Sequence, residues 1–268
     1  MKERLDKLLV EKEIIASREK ARAYIIGGNI TVDGETLTKP SALIPRGASI
    51  KIHLPNNGYV SRGGLKLNGA LEDFHIDVSG AHCLDIGAST GGFTDCLLKR
   101  NARSVIALDV GKNQIDYRLR KDSRVEVVEK FNARYIDRLE TDTIFELVTI
   151  DVSFISVKNI LKPLLKIVDL TSKIVVLIKP QFELEKPYKG FRGVVTDQNI
   201  HKDILQDLNN FFFRTGYSVR GYTFSHLKGP KGNIEYFVLL MKNGPGKEQE
   251  YFTENIDNLV KRSWEYFM

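Results

Sequence analysis

The chain has 268 residues, 42% of them hydrophobic, enough for one medium domain with a buried core and a second, smaller one. Its 40 Lys+Arg against 34 Asp+Glu leave a formal net charge of +6, which favours an anionic partner without requiring one. Two cysteines (Cys83, Cys96) without CxxC spacing, five histidines with no H-x-x-x-H pair, a charged N-terminus and no apolar run of about 18 residues argue against a disulfide framework, a zinc site, a signal peptide and a membrane-spanning helix. A soluble, cytoplasmic protein is expected.

Residues 1–58 read as a first unit. Arg4 to Lys12 places Leu5, Leu8 and Leu9 at helical spacing. Ser17 suits the N-cap of a second helix with Ala21, Tyr24 and Ile25 on one face, stopped by Gly27-Gly28. Asn29-Ile30-Thr31-Val32 is a short strand running into an Asp33-Gly34 turn, and strand-like pieces follow near Thr36 and Ile50. Arg18, Lys20 and Arg22 fall on exposed positions of the second helix, with Lys2, Lys39 and Arg46 nearby. By charge alone this face is as compatible with solvent as with an anionic partner. Leu54-Pro55-Asn56-Asn57-Gly58 reads as a linker.

Residues 59–247 read as the second unit. Tyr59 to Leu67 opens a basic helix that continues to about Phe74. Cys83–Ile86, Val105–Asp109, Val125–Val128, Leu147–Asp151 and Ile174–Ile178 are predicted strands, mostly apolar on both sides, with helices starting at Thr94, Asn113, Val157 and Asp197. Tyr217–Phe224 and Glu235–Leu240 form a strand pair around Lys228-Gly229-Pro230-Lys231-Gly232. Strands alternating with helices predict an α/β fold: a mostly parallel, seven-stranded, Rossmann-like sheet with helices on both faces, beside a small α+β N-terminal domain. Over residues 248–268, Phe252, Ile256, Leu259, Val260 and Trp264 at helical spacing predict a C-terminal amphipathic helix.

Chemistry concentrates at the strand ends. Leu84-Asp85-Ile86-Gly87-Ala88-Ser89-Thr90-Gly91-Gly92-Phe93-Thr94 closes a strand with an acid, turns through glycines and opens a helix. A dinucleotide site would read G-x-G-x-x-G, whereas this turn reads G-x-x-x-G-G behind Asp85. Acid first, with widely spaced glycines, suits S-adenosylmethionine, which has no pyrophosphate to cradle. Asp85, Gly87, Ala88, Ser89, Gly91, Gly92 and Phe93 are therefore candidate cofactor contacts through backbone N–H groups and a carboxylate. A tight strand-to-helix turn with no ligand would use the same glycines. Asp109 ends the next strand, placed either to accept bonds from a ribose diol or to cap a helix. Asn132, after the third strand, could flank an adenine. Asp151 and Lys179 end the fourth and fifth strands. A lysine closing an apolar strand must be paired, exposed or neutral.

Two resemblances follow from these motifs. Arg4-Leu5-Asp6-Lys7-Leu8-Leu9, Ser17-Arg18-Glu19-Lys20-Ala21 and Ile26-Gly27-Gly28-Asn29-Ile30-Thr31-Val32-Asp33-Gly34 resemble the S-four RNA-binding domain of ribosomal proteins. That likeness implies that Arg4, Arg18, Lys20 and Arg22 face structured RNA. Ser61-Arg62-Gly63-Gly64-Leu65-Lys66-Leu67, Asp85-Ile86-Gly87, Asp151-Val152-Ser153-Phe154-Ile155-Ser156, Lys179-Pro180-Gln181-Phe182-Glu183 and Gly232-Asn233-Ile234-Glu235-Tyr236 extend the resemblance to nearly the whole chain. In this order they resemble the hemolysin A-like (TlyA) ribosomal RNA 2′-O-methyltransferases, whose catalytic domain is similar to the FtsJ/RrmJ methyltransferase. Gly64-Leu65 departs from the family, where Ala-His is frequent.

The resemblance implies a catalytic tetrad at Lys66, Asp151, Lys179 and Glu235, S-adenosylmethionine as cofactor, no metal, and cytidine in the ribosomal RNA of ribosomal subunits as substrate. A ribose 2′-hydroxyl is a poor nucleophile, so methylating it calls for a base and in-line access to the methyl group. Lys179 would be that base, with its pKa pulled down by burial and by Lys66 as a second cation. Asp151 would orient Lys179 and lie near the methionine end of the cofactor; Glu235 would orient Lys66 or the ribose. Arg62, Lys189, Arg192, Lys228 and Lys231 are candidate RNA contacts on loops of the same side. Two rivals are a membrane-active cytolysin, resting on the C-terminal helix alone, and a non-catalytic RNA-binding assembly factor. No stable membrane association is expected.

Overall fold

A computed structural model describes all residues except 1, 16, 53–57, 187, 189 and 244–255, and not the side chains of 19, 20 and 23. Most of the expected linker, the side chain of Lys20, Lys189 and the first part of the C-terminal segment thus lie outside the described residues.

The N-terminal unit contains β1 (Lys2–Arg4), α1 (Leu5–Glu11), α2 (Arg18–Ile26), β2 (Ile30–Val32), β3 (Glu35–Thr36), β4 (Leu43–Pro45) and β5 (Ile50–Ile52). Leu5, Leu8 and Leu9 of α1 meet Ala21 and Ile25 of α2 over Ile30, Val32 and Ile44, so the helical spacing read from the sequence forms a core. β2 lies between β3 and β5, all antiparallel. β1 pairs with β4, a ladder of three residues a side that no alternation in Lys2-Glu3-Arg4 announces.

The second unit runs α3 (Arg62–Asp73), β6 (His82–Ile86), α4 (Gly92–Lys99), β7 (Ser104–Asp109), α5 (Tyr117–Lys121), β8 (Val125–Glu129), a 3-10 turn (Ala133–Arg138), β9 (Leu147–Ile150), α6 (Lys158–Leu164), β10 (Lys173–Ile178), α7 (Pro180–Glu183), α8 (Gln198–Thr215), β11 (Tyr217–Phe224), β12 (Tyr236–Lys242) and α9 (Ile256–Phe267). Seven strands lie in the order β11-β12-β10-β9-β6-β7-β8, with β12 antiparallel to both neighbours and β6 to β10 parallel. The order reverses between β6 and β9, and ligands of such sheets bind outside the strands' carboxyl ends at that point.

Both faces are covered, as the apolar strands require. Leu84, Ile86, Val148 and Ile150 face a layer of α6 and α8 that includes Leu161, Leu164, Leu205 and Phe212. Cys83, Val105, Leu147 and Val175 alternate with them and face Leu67 and Leu71 of α3 and Cys96 and Leu97 of α4. α3 and α4 approach closely because glycines meet there: a methyl group at Gly92 would strike the Ser61 hydroxyl, and one at Gly64 would strike Tyr59 and the Gly92 carbonyl. The departure at Gly64 thus lets the helix carrying Lys66 lie against the turn after β6.

One expectation changes, and the C-terminal helix is found where it was expected. The helix expected from Asn113 starts at Tyr117, after the Asp116 side chain accepts the Arg118 amide at 2.9 Å, and lasts five residues. The C-terminal helix is described from Ile256, and its apolar face is spent internally, with Leu259 and Val260 in the core beside α8. Among the described residues, no helix is long and apolar enough to cross a membrane.

The Tyr217 side chain spans the α6 layer, and its hydroxyl donates to the Leu161 carbonyl at 2.6 Å with both buried. Tyr217→Phe should therefore cost about 1–2 kcal/mol in chemical denaturation, because the carbonyl loses its donor in a dry place. An unchanged midpoint would mean that water replaces the hydroxyl.

Candidate active site

The turn after β6 is left-handed at Gly87, Ser89 and Gly91, with φ of 87°, 49° and 93°. A methyl group at Gly87 would collide with the Asp151 carbonyl, and one at Gly91 with Leu119. Gly87 thus keeps a side chain out of the crevice between β6 and β9, and Gly91 lets the turn pack against α5. Four amides of the turn are spent inside the protein: Gly87 and Ala88 donate to the Leu108 carbonyl at 2.8 and 3.0 Å, Ser89 to Asp109 at 2.9 Å and Gly91 to Ala88 at 2.7 Å. This corrects the expectation that the turn offers those N–H groups to a ligand. What it offers is close approach. A pyrophosphate would need free donors; S-adenosylmethionine would not, so the cradle fits it.

Asp85 is also placed differently from the expectation of direct contact. Its side chain points to the α4 face of the sheet and is 0% exposed. The Thr94 hydroxyl donates to it at 2.6 Å and the Thr149 hydroxyl at 3.0 Å, so it ties β6, α4 and β9 together beneath the turn. Burial pushes its carboxyl up to about 7, against the two hydroxyl bonds that hold it down. The Phe93 ring is likewise in the core, against Phe237. Asp109 sits half-buried at the end of β7 and accepts the Ser89 and Gly111 amides, the latter at 2.6 Å. Asn132 is exposed at the end of β8 and accepts the Arg134 amide at 3.1 Å.

Four charged side chains gather at the same edge: Lys66 on α3, Asp151 and Lys179 one residue past β9 and β10, and Glu235 one residue before β12. The Lys66 ammonium lies 2.5 Å from Glu235, both buried; Lys179 lies 2.5 Å from Asp151 and donates to the Ser153 hydroxyl at 3.0 Å. A methyl group at Gly229 would collide with the second oxygen of Glu235, so the loop before β12 closes over that carboxylate. Burial pushes the Lys179 ammonium down, but Asp151 and, behind it, Glu235 outweigh that, and its pKa is raised. This corrects the expected depression: Lys66, charge-paired with Glu235, is not an uncompensated cation beside Lys179. In the free protein Lys179 is protonated.

Sequence reasoning did not single out Phe154, Phe182 or Glu183. Phe154 follows Ser153 in the left-handed region (φ 64°), is 89% exposed and packs its ring 4.9 Å from Phe182, beside Lys179. A bulky residue at positive φ is a strained arrangement of the kind that clusters at functional sites. Glu183 accepts the Ser156 hydroxyl at 2.6 Å and the Val157 amide at 2.9 Å, fastening this loop to α7. All three belong to motifs quoted above, but the spacing does not reveal their contacts.

The outer basic residues divide. Arg62 reaches the Lys228 carbonyl at 3.4 Å, Lys231 lies near Gly193, and Arg192 is exposed. The Asn233 side chain holds Gly193 and Val195 at 2.8 and 2.9 Å, drawing that loop to the same edge. In the N-terminal unit Arg22 is exposed, while Arg4 and Arg18 both bind Asp6. Among the described residues, no group of three or more His, Cys, Asp or Glu is arranged to hold a metal ion.

The model of the family described as FtsJ-like methyltransferase matches residues 59–242, and that of the S4 domain matches residues 3–50. A Bacillus subtilis protein named "Putative rRNA methyltransferase YqxC" is 41% identical over 264 residues, 98% of this chain and 94% of that one. The 16S/23S rRNA (cytidine-2′-O)-methyltransferase TlyA of Mycobacterium tuberculosis is 39% identical over 238 residues, 88% of this chain and 89% of that protein. A solved structure from Streptococcus thermophilus, described as a "putative hemolysin", superposes with a TM-score of 0.76 at 38% identity, covering 99% of this chain and 97% of that one.

The buried Asp85 should be visible in the pH dependence of stability. Burial holds its folded pKa at about 7, well above the ordinary aspartate range, so the stability it contributes is full below that range and is lost as pH rises to 7. Relative to wild type, Asp85→Asn should gain up to about 4 kcal/mol between pH 4 and 7 and nothing further beyond. Parallel stability curves for the two proteins across that window would disprove the assignment.

Proposed function

We propose that this chain, which belongs to the FtsJ-like methyltransferase family, transfers a methyl group from S-adenosylmethionine to the ribose 2′-hydroxyl of a cytidine in ribosomal RNA. The observation that carries this reading is the pair of Lys–carboxylate contacts, Lys66–Glu235 and Lys179–Asp151, set against a glycine turn at the sheet's switch point. The printed name of the Mycobacterium tuberculosis relative supports the nucleotide and the RNA class. The N-terminal S4 domain, which we take to end near residue 58, docks the enzyme on folded RNA; residues 59–247 carry the chemistry and 248–268 the closing helix. The cytoplasm, where ribosomal subunits reside, is the proposed place of action.

When bound, S-adenosylmethionine supplies an electrophilic methyl on a sulfonium. Asp109 would accept from its ribose diol, Asn132 would flank the adenine, and Asp151 would hold the ammonium of its methionine end. Gly87 and Gly91 let the group lie on backbone, and Asp85 holds the turn from below. Lys179 would first lose its proton to solvent and then take the 2′-hydroxyl proton as that oxygen gains the methyl and the sulfonium becomes a thioether. Glu235 fixes Lys66 at the same oxygen or the adjoining phosphate. Phe154 offers its face to the target base. Arg62, Lys189, Arg192 and Lys231 hold the backbone around it.

Labelled methyl should pass from S-adenosylmethionine to small or large ribosomal subunits lacking the modification, and the label should sit on a cytidine ribose. Lys179→Ala should lower transfer at least about a thousandfold while the cofactor still binds. Because Lys179 starts protonated, the rate should climb with pH from 7 to 9, and Asp151→Asn, which removes the carboxylate raising its pKa, should move that climb to lower pH. A rate independent of pH over this range would leave Lys179 as a positioning cation only; label in neither subunit would reject the activity.

A further inference from the structure

The segment from Asp151 to Ser156, between β9 and α6, is held at both ends by the short stretch after β10. At one end Lys179 lies 2.5 Å from Asp151 and donates to the Ser153 hydroxyl at 3.0 Å. At the other, Glu183 accepts the Ser156 hydroxyl on one oxygen at 2.6 Å and the Val157 amide on the other at 2.9 Å. We propose that Glu183 is a positioning residue for methyl transfer, clasping this segment so that Ser153 and Phe154 stay in place beside Lys179. The proposal rests on the methyl-transfer reading above.

The chain builds the clasp within one turn. Pro180 has no amide to extend the β10 ladder, and its fixed φ opens α7 directly after Lys179. The Phe182 amide closes that turn by donating to the Lys179 carbonyl at 2.8 Å. Lys179 and Glu183 are thereby set a fixed distance apart and grip opposite ends of one segment. Glu183 spends both oxygens on it, and Ser156 carries the hold onward by accepting the Lys158 amide at 3.2 Å. Bonds to a carboxylate are stronger than those between neutral groups, so this end is a firm anchor.

What lies between the two holds depends on them. The Asp151 backbone is fixed on its own account, since its amide donates to the Ile86 carbonyl at 2.9 Å. Phe154 has no such support. It sits at φ 64° and is 89% exposed, so neither an easy backbone conformation nor burial keeps it there. A bulky residue persists in that region only where its surroundings over-determine it. Here the chain is tethered on both sides, Ser153 to Lys179 and Ser156 to Glu183, and the Phe154 ring packs 4.9 Å from Phe182, the neighbour of Glu183. The Lys179 ammonium stands 5.9 Å from the same Phe182 ring. Releasing Glu183 lets Phe154 relax to an ordinary conformation and withdraws Ser153 from Lys179. Glu183 thus acts on the reacting groups only through this segment.

The readouts are methyl transfer by the full-length protein to ribosomal subunits lacking the modification, cofactor affinity, and hydrogen exchange of the amides of residues 152–157. Glu183→Ala should lower kcat about tenfold with little change in KM or cofactor affinity, and exchange should quicken in that segment. Glu183→Gln can accept the Val157 amide and donate to the Ser156 hydroxyl, so it should restore most of kcat. Added to Ser153→Ala and Phe154→Ala together, Glu183→Ala should cost little more, because it acts through those two residues. Should Glu183→Ala fail to fold, as judged by its melting curve, Ser156→Ala decides: it removes one hold from the other side and should slow transfer and quicken exchange in the same way. A folded variant with a lowered melting temperature but the wild-type kcat, or a loss that simply adds to that of the double variant, overturns the proposal. Wild type that labels neither subunit overturns the methyl-transfer reading and the proposal together, which tells the two failures apart.

Discussion

The carboxyl edge of the sheet is organised by one close approach: the backbone of Gly87 lies where any side chain would strike the carbonyl of Asp151. β6 and β9 are adjacent parallel strands, and the Asp151 amide continues their ladder by donating to Ile86 at 2.9 Å. The glycine turn after β6 and the acid that holds Lys179 are therefore parts of one continuous piece of backbone. Distances at such an edge are set by strand spacing rather than by loops, which is the condition for in-line group transfer to tolerances well below an ångström. Only glycine at 87 permits it. The same economy recurs where α3 meets α4, with Gly64 and Gly92 allowing the helix that bears Lys66 to press onto the turn.

Four charges at a partly dry edge would be expensive if they were independent. Paired as they are, Lys66 with Glu235 and Lys179 with Asp151, each ion keeps a counterion at 2.5 Å and the group is neutral as a whole. The two pairs do not serve alike. Lys66 and Glu235 are buried, 9% and 0% exposed, and make a fixed post. Lys179 and Asp151 are more accessible, and Lys179 also donates to the Ser153 hydroxyl, beside an exposed phenylalanine. Burial alone would neutralise Lys179; contact with a carboxylate reverses the sign.

Much of the fold could be read from the chain because its strands are buried on both faces. Continuous apolar runs such as Leu147–Ile150 and Lys173–Ile178 stand out against polar connections, and their ends fell within a residue or two of expectation. The same continuity hid the environment of Asp85. In a strand apolar on every residue, alternation carries no signal, and nothing local says that position 85 faces α4 rather than the crevice. Its partners, Thr94 and Thr149, come from two other elements. Elements of two to four residues, such as β1, β4 and α7, carry too few positions for a period to show. That Lys66, Asp151, Lys179 and Glu235 gather at one edge was implied by the family resemblance their motifs carry. Which force wins at Lys179 could not, because it depends on a contact distance.

The spent amides of the glycine turn bear on how such a site recognises its cofactor. A dinucleotide crevice attracts an anion with free N–H groups and a helix dipole. Here those of Gly87, Ala88, Ser89 and Gly91 are satisfied by the Leu108 and Ala88 carbonyls and by Asp109. At neighbouring strand ends Asp109 accepts the Ser89 and Gly111 amides and Asp151 is paired with Lys179, with the amide of Asn132 beyond. A crevice floored by satisfied backbone offers a phosphate no free donor from these four amides, whereas a ligand without a phosphate loses nothing by their being spent. Recognition at such a turn rests on close approach of backbone rather than on an anion hole.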